Sequence, residues 1–244
     1  MGGFEIVKGE VVSFNALNIQ AAMIDLDGTL VDTLGDFEAA LNRMLADLDL
    51  PSVTRDWIER SVGKGSEHLI RSVLAHQLTL PEVAGLSNVC QSRSVDVLFE
   101  PAWQRYQHHY ARLNGQFANV YPGVLEGLQH MRKSGWRLAC LTNKPLAFAQ
   151  GLLKAKGLDV YFEHVFGGDS FARKKPDPLP LLQTCQALGT LPQNTLMVGD
   201  SSNDAQAAHA AGCPVVLVTY GYNHGEPIRA VQALDWLDSL ALLN

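Results

Sequence analysis

No apolar run in this 244-residue chain is long enough to cross a membrane. The longest, such as Pro214 to Val218, fall far short of the roughly 20 residues a spanning helix needs. Cysteine is scarce: Cys90, Cys140, Cys185 and Cys213 lie far apart and include no C-x-x-C pair, which excludes the usual zinc and redox frameworks. Cys140, Cys185 and Cys213 sit among apolar neighbours and are expected to be buried free thiols. An excess of basic residues is also missing. Nineteen Lys+Arg against 25 Asp+Glu give a net charge of -6, which argues against general affinity for nucleic acid or anionic membranes. Any anionic ligand must then be met by a local device. The opening MGGFEIVKGEVVSF lacks the basic start and continuous apolar stretch of a secretory signal, so a soluble, cytoplasmic protein is expected.

What is there is ordinary globular composition, 47% hydrophobic and 18% charged, in a chain long enough for one large domain or one domain carrying an insertion. Short apolar runs at Ala21 to Ile24, Arg137 to Leu141, His164 to Phe166, Thr195 to Val198 and Val215 to Val218 read as strands. Consecutive apolar residues are what a strand covered on both faces requires, so the expected fold class is α/β, a Rossmann-like parallel sheet. Helices are expected over Gly123 to Ser134, Pro145 to Lys156, Pro178 to Leu188 and Asn203 to Ala211. Gly135, Gly157, Gly189 and Gly212 stand where left-handed C-terminal caps belong.

Leu34 to Leu113 differs, because it has helical faces and no convincing strand. Phe37, Leu41, Leu45 and Leu48 make one face, Leu69, Ile70, Val73 and Leu74 a second, and Trp103, Tyr106 and Tyr110 a third, read as packing. The expectation is a core of residues 1–33 and 114–244 interrupted by an all-helical insertion, 34–113, returning at the Asn114-Gly115 turn. The segment before the first strand is expected to be an added hairpin or arm.

The first strand runs into Asp25-Leu26-Asp27-Gly28-Thr29, and ligands of an open parallel sheet bind beyond the carboxyl ends of its strands. Alone, this D-x-D-G could simply begin a turn. Other strand ends carry matching polar groups: Thr142-Asn143-Lys144-Pro145 before one helix and Gly199-Asp200-Ser201-Ser202-Asn203-Asp204 before another. Helix starts of this kind receive anions well. Lys175 precedes Pro176 in a loop that could aim it at the same place.

On these residues the chain resembles the haloacid dehalogenase superfamily, whose four motifs occur in order: Asp25-Leu26-Asp27-Gly28-Thr29, Thr142, Lys175, and Gly199 to Asp204. The insertion looks like the mobile cap of the superfamily's first cap class. The resemblance implies a phosphatase acting through an aspartyl phosphate, with Asp25 as nucleophile and Asp27 as general acid and base. It implies Mg²⁺ held by the side chains of Asp25 and Asp200 and the backbone carbonyl of Asp27, with Asp204 in support. Gly28, Thr29, Thr142, Asn143 and Lys175 would bind phosphate. In that picture the carboxylates outweigh the cations, and protonating Asp27 relieves the excess. Dehalogenases lack the second aspartate because a halide leaves without a proton, so Asp27 favours phosphate chemistry.

Tyr121-Pro122-Gly123-Val124, Leu141 to Pro145, Lys174-Lys175-Pro176 and Ala210 to Pro214 further resemble bacterial phosphoglycolate phosphatases. That likeness implies 2-phosphoglycolate, a small phosphorylated metabolite, as substrate; sugar phosphates, nucleotides, pyrophosphate and a non-catalytic phosphate-binding role are the alternatives. Lys64, between Gly63 and Gly65, is the candidate for a substrate carboxylate. His68, His76, His108 and His109 form no convincing metal set. Neither a nucleic-acid nor a membrane partner is expected, and the chain is expected to be a monomer or homodimer.

Overall fold

The computed structural model describes residues 18–84 and 94–243. Cys90 and the expected amino-terminal arm before Asn18 lie outside these residues.

Ala21 to Ile24 form β1, buried at every position, and its lack of a polar side puts it in the middle of the sheet. β2 (Val31–Asp32) follows, then, among the described residues, five helices: α1 (Leu34–Ala46), α2 (Arg55–Glu59), α3 (Ser66–Thr79), α4 (Pro81–Ala84) and α5 (Val95–Leu113). The chain returns through β3 (Asn119–Val120) and alternates from there: α6 (Val124–Lys133), β4 (Arg137–Leu141), α7 (Leu146–Ala155), β5 (His164–Phe166), α8 (Leu179–Leu188), β6 (Thr195–Gly199), α9 (Ser202–Ala211), β7 (Val215–Val218) and β8 (Asp235–Leu237). The main sheet has the order β5-β4-β1-β6-β7-β8, with all pairs parallel. It is an α/β Rossmann-like core.

Register decides where the chemistry falls. Ile24 pairs with Cys140 of β4 and with Val198 of β6, so the three carboxyl ends lie level. Asp25, Thr142 and Asp200 are thereby delivered to one edge from widely separated chain positions.

Hydrophobic clusters against the sheet, including one around Met23, Met197 and Leu217, and within the helical layer underlie this arrangement. Ile24, Leu30, Leu128, Leu152 and Val198 belong to another cluster against the sheet, while Phe37, Leu41, Met44, Ile70, Tyr106 and Tyr110 belong to one within the helical layer. The crossings between the layers are pinned twice. β2 and β3 pair antiparallel, Val31 opposite Val120, and the fully buried Asp36 accepts the backbone N–H of Gly115 (2.6 Å) and of Phe117 (2.7 Å). A carboxylate at the start of α1 thus fastens the returning strand to the departing one.

The expected helices appear with ends moved by at most one residue, and Gly189 and Gly212 close α8 and α9 with φ of 64° and 76°. β2, β3 and β8 are absent from the sequence reading. Two or three residues are too few for a period, and β8 is only partly buried at Asp235 and Trp236. Cys140, Cys185 and Cys213 are buried free thiols as expected, but Cys185 and Cys213 meet in the fold, with sulfurs 3.9 Å apart. Among the described residues no helix is long and apolar enough to cross a membrane.

Candidate active site

The loop after β1 bends back at Gly28, whose φ is +84° and where any Cβ would strike the Asp200 carboxylate and the Tyr222 ring. That close approach brings the first strand end against the β6 end. Asp25, Asp200 and Asp204 are all buried, and each offers an oxygen within 4.8 Å of the others.

The three carboxylates are held differently. Asp200 accepts the Thr29 hydroxyl (3.1 Å) through Oδ1 and the Tyr222 N–H (2.6 Å) through Oδ2. Asp204 caps α9: its Oδ2 accepts the Ser201 hydroxyl and the N–H groups of Asp200 and Ser201, and its Oδ1 accepts Lys175 Nζ at 2.7 Å. Asp25 Oδ1 lies 3.0 Å from Lys175 Nζ, close enough for attraction but outside hydrogen-bonding direction, so this buried oxygen has no hydrogen bond. Burial, reinforced by Asp204 and Asp27 and opposed by Lys175, pushes the Asp25 carboxyl up to about 6. Burial likewise pushes Asp200 well up, with Asp204 and Asp25 adding.

Clustered oxygens, one of them without a hydrogen bond, and carboxyls that resist ionisation are the signs of a site short of positive charge. A hard divalent cation with oxygen ligands fits it. Asp25 and Asp200 are the side chains available for such an ion, whereas Asp204 is already engaged on Lys175 and the turn.

The residues expected to receive phosphate gather here, but their donors are differently disposed. Gly28 N–H bonds Val31 O (2.9 Å) and the Thr29 hydroxyl is taken by Asp200, so both residues shape the loop instead of offering donors. Asn143 Nδ2 donates to Gly63 O (3.1 Å) and Lys175 O (2.9 Å), which ties the α2–α3 connection and the Lys175 loop together. Among the described residues the N–H groups of Asp27 and Asn143 have no hydrogen-bond partner. Asp27, Thr142 and Asn143 line the cavity beside Asp25, and Lys175 Nζ approaches Asp25 Oδ1 to 3.0 Å. Lys175 itself is fixed by Leu141 O (2.9 Å) and Asp204.

Lys144 was missing from the sequence-derived set. Its side chain is buried, with Nζ 2.9 and 3.2 Å from the two Asp27 carboxylate oxygens and 2.6 Å from the Tyr110 hydroxyl. This second lysine supplies a positive charge that the sequence-level charge balance lacked. The signal was present in Asn143-Lys144-Pro145, but a lysine before a helix reads as a surface residue until α5 is known to cover it. Tyr106 and Tyr110 do pack, with rings stacked 5.3 Å apart, yet the Tyr110 hydroxyl also reaches the site. Lys64 stands exposed, while its neighbours Gly63 and Gly65 line the cavity.

That cavity lies between the layers, walled by Asp25, Asp27, Thr142 and Lys144 below and by Phe37 and Ser66 above, and has a volume of only about 30 Å³. It holds a few waters at most, less than the volume of a phosphate ester.

A parallel sheet with aspartates at adjoining strand ends, a buried lysine and a covering helical layer defines a class of hydrolase. The sequence model of haloacid dehalogenase-like hydrolases matches residues 19–212, and the chain belongs to that family. It is 43% identical over 219 residues to a phosphoglycolate phosphatase of Nitrosospira multiformis, covering 90% of each chain. It is 40% identical over 226 residues to that of Thiobacillus denitrificans, covering 92% of this chain and 94% of the other. The fold is similar, with a TM-score of 0.84 and 32% identity, to the crystal structure of a predicted phosphoglycolate phosphatase from Haemophilus somnus, covering 93% of this chain and 96% of that one.

Proposed function

We propose that this chain is a Mg²⁺-dependent phosphomonoester hydrolase that converts 2-phosphoglycolate to glycolate and phosphate. The observation that carries the chemistry is Asp25, a carboxylate at the end of the central strand with one oxygen free of hydrogen bonds, flanked by Lys175 and a second carboxylate at Asp27. The phosphoglycolate assignment rests on relatives about 40% identical over nearly the whole chain.

Asp25 attacks phosphorus in line, forming a bond from its carboxylate oxygen as the ester P–O bond breaks. Asp27 passes its proton to the departing glycolate oxygen, then takes a proton from the water that attacks the aspartyl phosphate and regenerates Asp25. The backbone N–H groups of Asp27 and Asn143, the Thr142 hydroxyl and Lys175 hold the equatorial oxygens where negative charge is spread. Mg²⁺, bound by Asp25, Asp200 and the Asp27 carbonyl, would offset the charge of the phosphate and reduce repulsion with the nucleophile. Residues 34–113 act as a cap over a core of residues 1–33 and 114–244, excluding bulk water while the covalent intermediate exists.

Phosphate release should be measured from 2-phosphoglycolate beside sugar phosphates, nucleotides and pyrophosphate, with and without Mg²⁺ and with Asp25→Asn. We expect 2-phosphoglycolate to lead in kcat/KM, with turnover lost by at least about 10⁴-fold in the variant. Another ester in the lead would overturn the substrate assignment but leave the chemistry; no Mg²⁺-dependent release from any of them would leave only phosphate binding.

A further inference from the structure

A buried ammonium needs an anion, and the anion beside Lys144 is one with other work to do. Lys144 is 4% exposed, and its Nζ lies 4.6 Å from the Phe37 ring centre and 4.7 Å from that of Tyr110, an aromatic wall that offers no water in place of Asp27. Both Asp27 oxygens lie within hydrogen-bond distance of Nζ. Asp27 cannot turn an oxygen to the ester bridge and keep both on Lys144. When it turns, the lysine regains a donor directed into the cavity and loses part of its counter-charge, a costly state inside a protein. A polar group of the same helical layer is unsatisfied in the structure: the Tyr106 hydroxyl is fully buried without a hydrogen bond.

We propose that Lys144, assisted by Tyr106 and Tyr110, is the specificity determinant of this enzyme, binding a carboxylate carried by the leaving alcohol one carbon from the ester oxygen. The inference rests on the phosphoglycolate assignment above and names the residues that would enforce it. A carboxylate so placed lies beside the bridge oxygen that Asp27 serves, within the span of the Asp27–Lys144 contact. It replaces the counter-charge that Asp27 withdraws and gives the Tyr106 hydroxyl an acceptor. An ester with a neutral alcohol does neither. The group is therefore read by the strand-end loop of the core together with α5, and not by the exposed Lys64 of the α2–α3 connection.

The test compares kcat/KM for 2-phosphoglycolate and for 2-phosphoglycolamide, the same ester with a neutral carboxamide, in the Mg²⁺-loaded full chain. The wild-type protein should favour the acid by at least about 100-fold, since a site built to bind a charged group rejects an analogue without it. Lys144→Met and Lys144→Gln should each reduce that ratio about 10- to 100-fold, and Tyr106→Phe about 3- to 10-fold. Two lysine variants are used so that a folding defect in one leaves the other informative, and Tyr106→Phe removes a single oxygen should both fail. A lysine that merely positions Asp27 would lower both substrates equally. An unchanged ratio in every folded variant, beside a wild-type preference for the acid, would overturn the role of Lys144 and spare the substrate assignment. A wild-type protein that does not prefer the acid would overturn both.

Discussion

Gly28 shows how closely two strand ends must approach for a carboxylate cluster to form. At φ +84° it occupies backbone space that a side chain rarely adopts, and a Cβ there would collide with the carboxylate of Asp200. Gly28→Ala should therefore push Asp200 away from Asp25 and damage cation binding more than folding. Isothermal titration with Mg²⁺ in the absence of substrate should show affinity at least about tenfold weaker, a loss of about 1.4 kcal/mol. Affinity equal to that of the parent would mean that the two carboxylates do not share an ion. At this scale the sequence was legible for Asp25, Asp27, Thr142, Lys175 and Asp200, because each ends a strand or precedes a helix in a spacing that chemistry explains. Lys144 was not, because its burial depends on aromatic residues from Phe37 and Tyr110, which the chain supplies from a different layer.

Between elements, the joint at Asp36 has the clearest energetic consequence. Its carboxylate satisfies two backbone donors of the return segment, at Gly115 and Phe117, and is itself fully buried. Asp36→Ala leaves both N–H groups without that partner, at about 1–3 kcal/mol for each that stays dry. Urea unfolding should show a loss of about 2–5 kcal/mol, with a smaller loss in Asp36→Asn, which keeps an acceptor oxygen. A loss below about 0.5 kcal/mol would show that water replaces the carboxylate and that the crossing is not fastened there. The helical faces of α1, α3 and α5 were readable from their spacing. The clamp was not, since an acidic residue in the first turn of a helix has an ordinary explanation in the helix dipole.

For the molecule as a whole, the buried carboxylates are expected to couple stability to pH and, through the proposed Mg²⁺, to the cation. The Asp25 carboxyl titrates near 6 in the fold against 3.8 when unfolded, because burial disfavours its charged form. Its favourable contribution is complete below pH 3.8 and is lost as the pH rises through about 6, the reverse of a salt-bridged carboxylate with a depressed pKa. Mg²⁺ should offset that loss where Asp25 is ionised and compete with protons where it is not. At a hundred times its dissociation constant the ion would contribute about 2.7 kcal/mol, a rise in Tm of about 5–10 °C for a chain of this size. Differential scanning fluorimetry with EDTA or Mg²⁺ should show the full rise at pH 7.5 and a much smaller one at pH 5. Equal rises at both would mean that the ion does not bind through Asp25.

The sequence by itself determined the parallel α/β class, the order of its principal strands and helices and the helical character of the described residues between 34 and 113, because these follow from local periodicity and from turn and cap residues acting within a few positions. It also carried the carboxylates and Lys175, whose types and spacing are chemically unusual. Tertiary structure decided which donors are free. Thr29 and Asn143 are committed to neighbours far along the chain, whereas the N–H groups of Asp27 and Asn143 are left open. It also decided that Lys144 and not Lys64 faces the cavity, because the strand register brings Asn143-Lys144 beside Asp27 and α5 lies across them. Burial and hydrogen-bond partnership depend on which distant segments meet, and that information enters only when the layers pack.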